Sequence, residues 1–297
     1  MAEEEKKSME SQFHFNIYVS IIKPRIVALI AFVATVTAII PQGGLPPLNR
    51  LMLLLAAVGL ASMGATALNH YLDRDIDSLM RRTRNRPLPS GTIKRPYWVL
   101  IGGLALVTLS LSLSLRLNYQ VALYNTLGAF FYVVIYTWWL KRRSHWNIVI
   151  GGLAGSCAAL AGWFSATNNI SAVPVLIALI LFLWTPSHFW SFALVQKDDY
   201  RRAGIPMLPL VVGDRATAHH ILVYTALSFL ASILLFILGP FSTKYLLVAI
   251  LLGAWFLTWN IRLILNPSPR LAWSNYKLSG IYLLGLFLTM ALDLTLG

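Results

Sequence analysis

Asn69, Asp73 and Asp77 stand four residues apart. On a helix that spacing puts all three on one face, one turn apart, while Asp75 points away. An amide and two carboxylates on one face suit a hard divalent cation. Mg²⁺ in particular is commonly held by one or two carboxylates together with the phosphates of a substrate. Arg81, Arg82, Arg84 and Arg86 follow directly, with Lys94 and Arg95 beyond them. Guanidinium groups donate in a fork that matches phosphate oxygens. The chemistry this stretch implies is the binding of Mg²⁺ and a diphosphate. A second acidic pair, Asp198 and Asp199, lies in Gln196-Lys-Asp-Asp-Tyr-Arg-Arg. It is a candidate for a second metal position facing the first, with Lys197, Arg201 and Arg202 as further phosphate partners. Each cluster also has a plainer reading, a solvated loop that orients the chain. That reading explains the arginines but not the aspartates, which contribute little to membrane topology.

The rest of the chain is poor in acid. Of 11 Asp and Glu, Glu3, Glu4, Glu5 and Glu10 occupy the first ten residues, and only Asp214 and Asp293 lie outside that tail and the two clusters. Charged residues make up 12% of the chain, against about 25% in a soluble domain, and hydrophobic residues make up 57%. Apolar runs long enough to cross a bilayer recur throughout. They are continuous and do not alternate, which favours helices over a barrel. The expectation is an all-α, polytopic membrane protein with about nine spans, near 20–40, 50–69, 97–116, 119–140, 147–166, 172–194, 218–238, 243–264 and 277–295. The whole chain, 1–297, reads as a single integral-membrane domain. It has a short cytoplasmic tail over 1–19 that lacks the pattern of a signal peptide. Loops over 70–96 and 195–217 carry the two acidic clusters.

Orientation follows from charge. With the N-terminus inside, 21 of the 24 Lys and Arg fall on the cytoplasmic side, leaving Arg50, Arg116 and Lys244 outside. That asymmetry is the positive-inside pattern. It places both acidic clusters at the cytoplasmic face of an inner membrane and the C-terminus outside. The net charge of +13 is accounted for by topology, so no nucleic-acid partner is implied. The single cysteine, Cys157, excludes an intrachain disulfide and a thiolate metal cluster.

Asn69, Asp73 and Asp77, followed by Arg82-Thr83-Arg84-Asn85-Arg86-Pro87-Leu88, resemble the motif of the UbiA-type intramembrane prenyltransferases. The likeness extends along the chain, with aspartate motifs after spans two and six of nine. The second motif departs from the Asp-x-x-x-Asp of the wider family: Ala203 stands four residues after Asp199, and Arg202 four after Asp198. Three further stretches are similar to the branch of the family that farnesylates haem. They are Lys23-Pro24-Arg25-Ile26, Thr185-Pro186-Ser187-His188-Phe189-Trp190, and Asp199-Tyr200 leading to Ala203-Gly204-Ile205-Pro206-Met207-Leu208-Pro209.

The resemblance implies a UbiA-like helical bundle in membrane lipid. Its expected reaction is transfer of a farnesyl group from farnesyl diphosphate to a vinyl group of protohaem IX. Mg²⁺ would be held by Asn69, Asp73, Asp77 and Asp199, the catalytic set, with Asp198 and Asp199 the candidates for any second position. The diphosphate would meet Arg82, Arg84, Arg86, Lys94, Lys197 and Arg201. The implied partners include a possible complex with a haem-modifying oxygenase.

His188 lies inside an apolar span, where an ionisable residue is a functional candidate. It can ligate haem iron or bond a propionate. It can equally be satisfied within the bundle by a carbonyl freed near Pro186. Lys23 and Arg25 are either interfacial anchors or contacts for haem propionates. His70 lies a helical step from the aspartate face, and His219 and His220 suit the cytoplasmic interface. Aromatic rings are expected in the cavity to stabilise an allylic cation, by roughly 0.5–2 kcal/mol each, with Tyr71, Tyr132 and Tyr136 as candidates. Two rivals remain at this point. One is the same fold acting on another acceptor, such as an aromatic acid, a quinone precursor or a chlorophyllide. The other is a polytopic transporter without chemistry.

Overall fold

The computed structural model describes residue 17 and residues 19–295. Among the described residues there is no strand. Helices α1 (Pro24–Ile39), α2 (Leu48–Leu72), α3 (Arg74–Leu79), α4 (Tyr97–Leu117) and α5 (Tyr119–Phe130) form the first half. Next come α6 (Asn147–Gly151), α7 (Leu153–Ala166), α8 (Ala172–Val195), α9 (Lys197–Arg202), α10 (Leu208–Val211), α11 (Asp214–Leu238), α12 (Thr243–Leu265) and α13 (Pro269–Thr295). Helix α5 runs on as a π-helix over Phe131–Leu140, and α6 and α7 together make one span. Nine segments among the described residues are long and apolar enough to cross a membrane, in the order expected from the sequence.

The spans 218–238 and 277–295 begin earlier than expected, at Asp214 and Pro269. Their first turns carry Arg215 and Arg270, so the helix continues past the apolar stretch into the charged interface. The tail expected over 1–19 lies largely outside the described residues. The loop expected over 195–217 contains two short helices, α9 and α10. Gly204, at φ +65°, ends α9 in a left-handed turn that a side chain would strain.

Lys23 precedes α1 with φ 47°, an uncommon value for a residue with a side chain. Pro24 then supplies a ready-made first helical residue. Asn118 starts α5: its carboxamide oxygen accepts from the backbone N–H of Val121 (2.8 Å) and its Nδ2 donates to the Phe164 carbonyl (2.7 Å).

Helix α2 packs chiefly on α4, and α8 on α11, while α7 lies between α1 and α5. Small residues let these helices approach closely, as lipid-embedded packing requires. A methyl group on Gly162 would sit 2.2 Å from the Ala34 carbonyl oxygen, so α7 touches the backbone of α1 there. Ile177, Ile180, Leu235, Phe256, Tyr282 and Phe287 form the centre of the core, and many leucines on the outer faces of α4, α11 and α12 are exposed, as lipid contact demands.

Candidate active site

The end of α2 and the start of α3 supply the acidic face. The helix breaks at Asp73, yet backbone bonds from Asp73 to Asn69 (2.9 Å) and from Asp77 to Asp73 (2.8 Å) keep the four-residue spacing. Asn69, Asp73 and Asp77 are all buried. Asp75 points away, as expected, and its two oxygens accept from Arg142 at 2.6 Å each. Those bonds hold the Asp75 carboxyl below its usual range.

Four cations close on this face. Lys141 Nζ lies 2.5 Å from Asp73 Oδ2, and Arg86 lies 2.7 Å from Asp77 Oδ2. Lys23 Nζ donates to Asn69 Oδ1 (2.9 Å), while Asn69 Nδ2 donates to Asp73 Oδ2 (2.7 Å) and Thr137 Oγ1 (3.1 Å). The fourth, Arg82, lies over the Phe192 ring, 5.1 Å from its centroid. Burial, then the charges of Arg86 and Lys141, lowers Lys23 to about 7. Burial also pulls Lys141 down, but the Asp73 carboxylate outweighs it and holds that ammonium above its ordinary value. Asp73 Oδ1 is buried with no hydrogen-bond partner.

The π-helix explains how Lys141 arrives here. Thr137 Oγ1 donates to the Tyr132 carbonyl (2.8 Å) and Lys141 N to the Tyr136 carbonyl (2.8 Å), each five residues back. The wider turn puts Tyr132, Tyr136, Thr137 and Lys141 on one face toward α2. Such π segments occur often at functional sites. Tyr132 and Tyr136 stack on each other, with centroids 5.8 Å apart.

The second cluster meets the first in a different way from the one expected. Asp199 accepts from the backbone N–H groups of Arg81 (3.1 Å) and Arg82 (3.0 Å). Both of its oxygens are thereby used to fix the arginine loop. Asp198 is 77% exposed and pairs with Arg201, so neither side chain reaches the aspartate face. Lys197 is drawn off to Asp214 (2.5 Å). Arg84 and Lys94 are exposed and do not line the cavity. The second metal position is therefore not assembled, because its carboxylates are bound to the loop or turned to the surface.

One cavity of about 540 Å³ joins these groups to the bundle interior. Its charged end is lined by Lys23, Asp73, Asp77, Arg82, Arg86 and Lys141, with Arg25 also in its wall. Further in come Tyr132, Tyr136, Tyr124, Trp184, His188 and Tyr276. His188 lies between the rings of Trp184 (4.5 Å) and Tyr276 (4.3 Å). Tyr200 also lines the wall, and burial raises its phenol. Tyr71 lies outside the cavity, beneath the Arg74 guanidinium (4.3 Å). His70 is buried beside Asn69 but outside the lining, and His220 sits edge-on to Trp146 and Trp190.

The architecture and the chain have known counterparts. The UbiA prenyltransferase family model matches residues 28–287. The chain belongs to the UbiA prenyltransferase family. A Symbiobacterium thermophilum protein named protoheme IX farnesyltransferase is 40% identical over 280 residues, covering 94% of each chain. Protoheme IX farnesyltransferase 1 of Cenarchaeum symbiosum is 43% identical, over 91% of this chain and 93% of that protein. Among solved structures, a digeranylgeranylglyceryl phosphate synthase aligns with TM-score 0.80 at 19% identity, covering 94% of this chain and 98% of the other. A UbiA homolog from Archaeoglobus fulgidus bound to DMAPP and Mg²⁺ aligns with TM-score 0.70 at 18% identity, covering 92% and 99%. The chain is thus an integral membrane prenyltransferase, and the transporter reading is set aside.

Lys141 and Thr137 at the acidic face, and Trp184, Tyr124, Tyr200 and Tyr276 in the cavity wall, are site residues that sequence reasoning missed. Lys141 stands first in Lys141-Arg142-Arg143, where it reads as one more topogenic charge. The signal that distinguishes it is the Tyr132, Tyr136, Thr137, Lys141 spacing, which is visible only once the segment is known to be π-wound.

Proposed function

We propose that this prenyltransferase transfers a farnesyl group from farnesyl diphosphate to a vinyl carbon of protohaem IX, at the cytoplasmic face of an inner membrane. The observation that carries this reading is one cavity that connects a cluster of cations and carboxylates to a histidine set among aromatic rings. The relatives named protoheme IX farnesyltransferase, at 40–43% identity, favour haem as the acceptor over an aromatic acid or a quinone precursor.

Asn69, Asp73 and Asp77 fit Mg²⁺. The buried, unpartnered Asp73 Oδ1 is a free ligand oxygen, and two carboxylates with an amide leave room for substrate phosphates. When bound, the ion would add Lewis-acid stabilisation of the diphosphate.

The chain's own residues do the rest. Lys141, Arg82, Arg86 and Lys23 present donors to the phosphate oxygens where negative charge grows as the C1–O bond of farnesyl diphosphate breaks. Asp199 keeps the Arg81–Arg82 backbone in place, so Arg82 faces the cavity. Tyr132, Tyr136 and Trp184 offer ring faces to the allylic cation. The bond's electron pair leaves with the diphosphate. The vinyl π pair of haem then forms the new C–C bond, and water captures the resulting cation with loss of a proton. The helical wall limits water at the first cation. On this reading His188 would ligate the haem iron and hold the macrocycle in the cavity.

Asp73→Asn and Asp77→Asn each test the proposal. Turnover should disappear while the protein still inserts, and Asp73→Asn should also inactivate earlier on heating because buried Lys141 loses its carboxylate. Near-normal turnover in either variant would remove that residue from the mechanism.

A further inference from the structure

Resting on the reading of His188 as the group that meets haem iron, we infer that Ser279 is the positioning residue that sets the tautomer and aim of the His188 ring.

The Ser279 hydroxyl donates to the Tyr276 carbonyl, 2.6 Å away. A hydroxyl has one proton. With its proton on that carbonyl, Ser279 Oγ accepts from His188 Nδ1 at 2.7 Å, and the Tyr276 carbonyl lies within reach of the same ring as a second acceptor. Neither ring nitrogen contacts a carboxylate among the described residues, and aromatic faces enclose the ring, so the pocket accommodates neutral imidazole. Neutral imidazole has a single N–H, which leaves the lone pair on Nε2. Among the described residues no side chain bonds that nitrogen, and it is not among the buried polar atoms left without a partner. Because His188 lines the cavity, Nε2 is the nitrogen open to it.

Ser279 also reaches the neighbouring ring. Trp184 Nε1 donates to the Ser279 carbonyl at 2.7 Å. The Tyr276–Ser279 turn of α13 therefore holds two side chains of α8, one through a hydroxyl and one through a carbonyl. A hydrogen bond that fixes the protonated nitrogen of a histidine is the arrangement that makes the other nitrogen a directed metal ligand. Losing such a partner lowers metal affinity by about 10–100-fold.

The test uses full-length protein, ¹⁵N-labelled at histidine, in lipid bilayers. Solid-state NMR reads the His188 tautomer, with its signals assigned by their loss in His188→Ala. Wild type and Ser279→Thr should show the Nδ1–H form alone, and Ser279→Ala should show a mixture. Titration with ferric protohaem should give weaker binding in Ser279→Ala, by about 10–100-fold, with an altered axial-ligand signature in electron paramagnetic resonance. Ser279→Thr should restore both, and farnesyl diphosphate affinity should stay unchanged throughout. An Nε2–H tautomer in wild type overturns the inference. So does a Ser279→Ala protein with the wild-type tautomer and haem affinity. If His188→Ala keeps the wild-type haem spectrum, the underlying iron-ligand reading fails whatever the tautomer measurement gives.

Discussion

Replacing Lys141 by methionine keeps most of the aliphatic stem and removes the ammonium that lies 2.5 Å from Asp73 Oδ2. The two side chains are 10% and 1% exposed, so water screens this pair far less than a surface pair. In the variant, Asp73 Oδ2 keeps only the Asn69 amide, and Oδ1 has no partner even now. At an effective dielectric constant near 20, the gross attraction at this separation is roughly 6–7 kcal/mol, much of it offset by desolvation. Removing one partner of a buried pair costs about 3–5 kcal/mol, since the other charge is left uncompensated. Catalysis should fall as well. Lys141 is one of the proposed donors to the departing diphosphate, and losing one such donor lowers kcat by about 10²–10³. The assay is kcat and KM for farnesyl diphosphate, run beside thermal inactivation in detergent. Adding Asp73→Asn to Lys141→Met should return most of the stability, because no bare carboxylate stays buried, and should not return turnover. A Lys141→Met enzyme that lost stability but kept near-normal kcat would refute the catalytic role. One with wild-type stability would refute the buried-pair reasoning.

Asp199→Ala should raise KM for farnesyl diphosphate and lower kcat by releasing the Arg81–Arg82 backbone, with the Mg²⁺ concentration for half-activation unchanged; a large shift in that midpoint would make Asp199 a metal ligand after all. Arg82→Lys keeps the charge but loses the guanidinium fork and its seat on Phe192, so KM for farnesyl diphosphate should rise while KM for haem holds. Gly162→Val forces carbon into the α1 backbone at Ala34 and should destabilise by about 1–3 kcal/mol or more, read as earlier thermal inactivation.

The spans, their order and the acidic face were legible because each depends on local pattern. Apolar runs set the spans, and a four-residue spacing set the face shared by Asn69, Asp73 and Asp77. Asp75 pointing away followed from the same geometry. The partners of that face were not legible, because they come from remote parts of the chain. Lys141 lies on another helix, and its approach depends on a π-turn that no composition reveals. Asp199 shows the opposite limit. Its residue type and its place beside Asp198 suggested a metal ligand, yet its oxygens are taken by two backbone amides of the arginine loop. Lys197 and Arg201 were misplaced for a related reason, since each has a nearer carboxylate, in Asp214 and Asp198. Among the proposed cation-stabilising rings, Tyr132 and Tyr136 reach the cavity and Tyr71 does not, because Tyr71 lies two residues past Asn69, on the opposite side of α2, packed against Ala67, Leu88 and Val99.

The central claim is that this cavity joins farnesyl to haem. The most direct test is mass spectrometry of haem products formed by purified protein given protohaem, farnesyl diphosphate and Mg²⁺, with an EDTA control. The account predicts a farnesylated, hydrated haem that forms with Mg²⁺ and not with EDTA. Unchanged protohaem, alongside prenylation of an aromatic acid offered in the same mixture, would contradict the haem assignment and leave the diphosphate site standing.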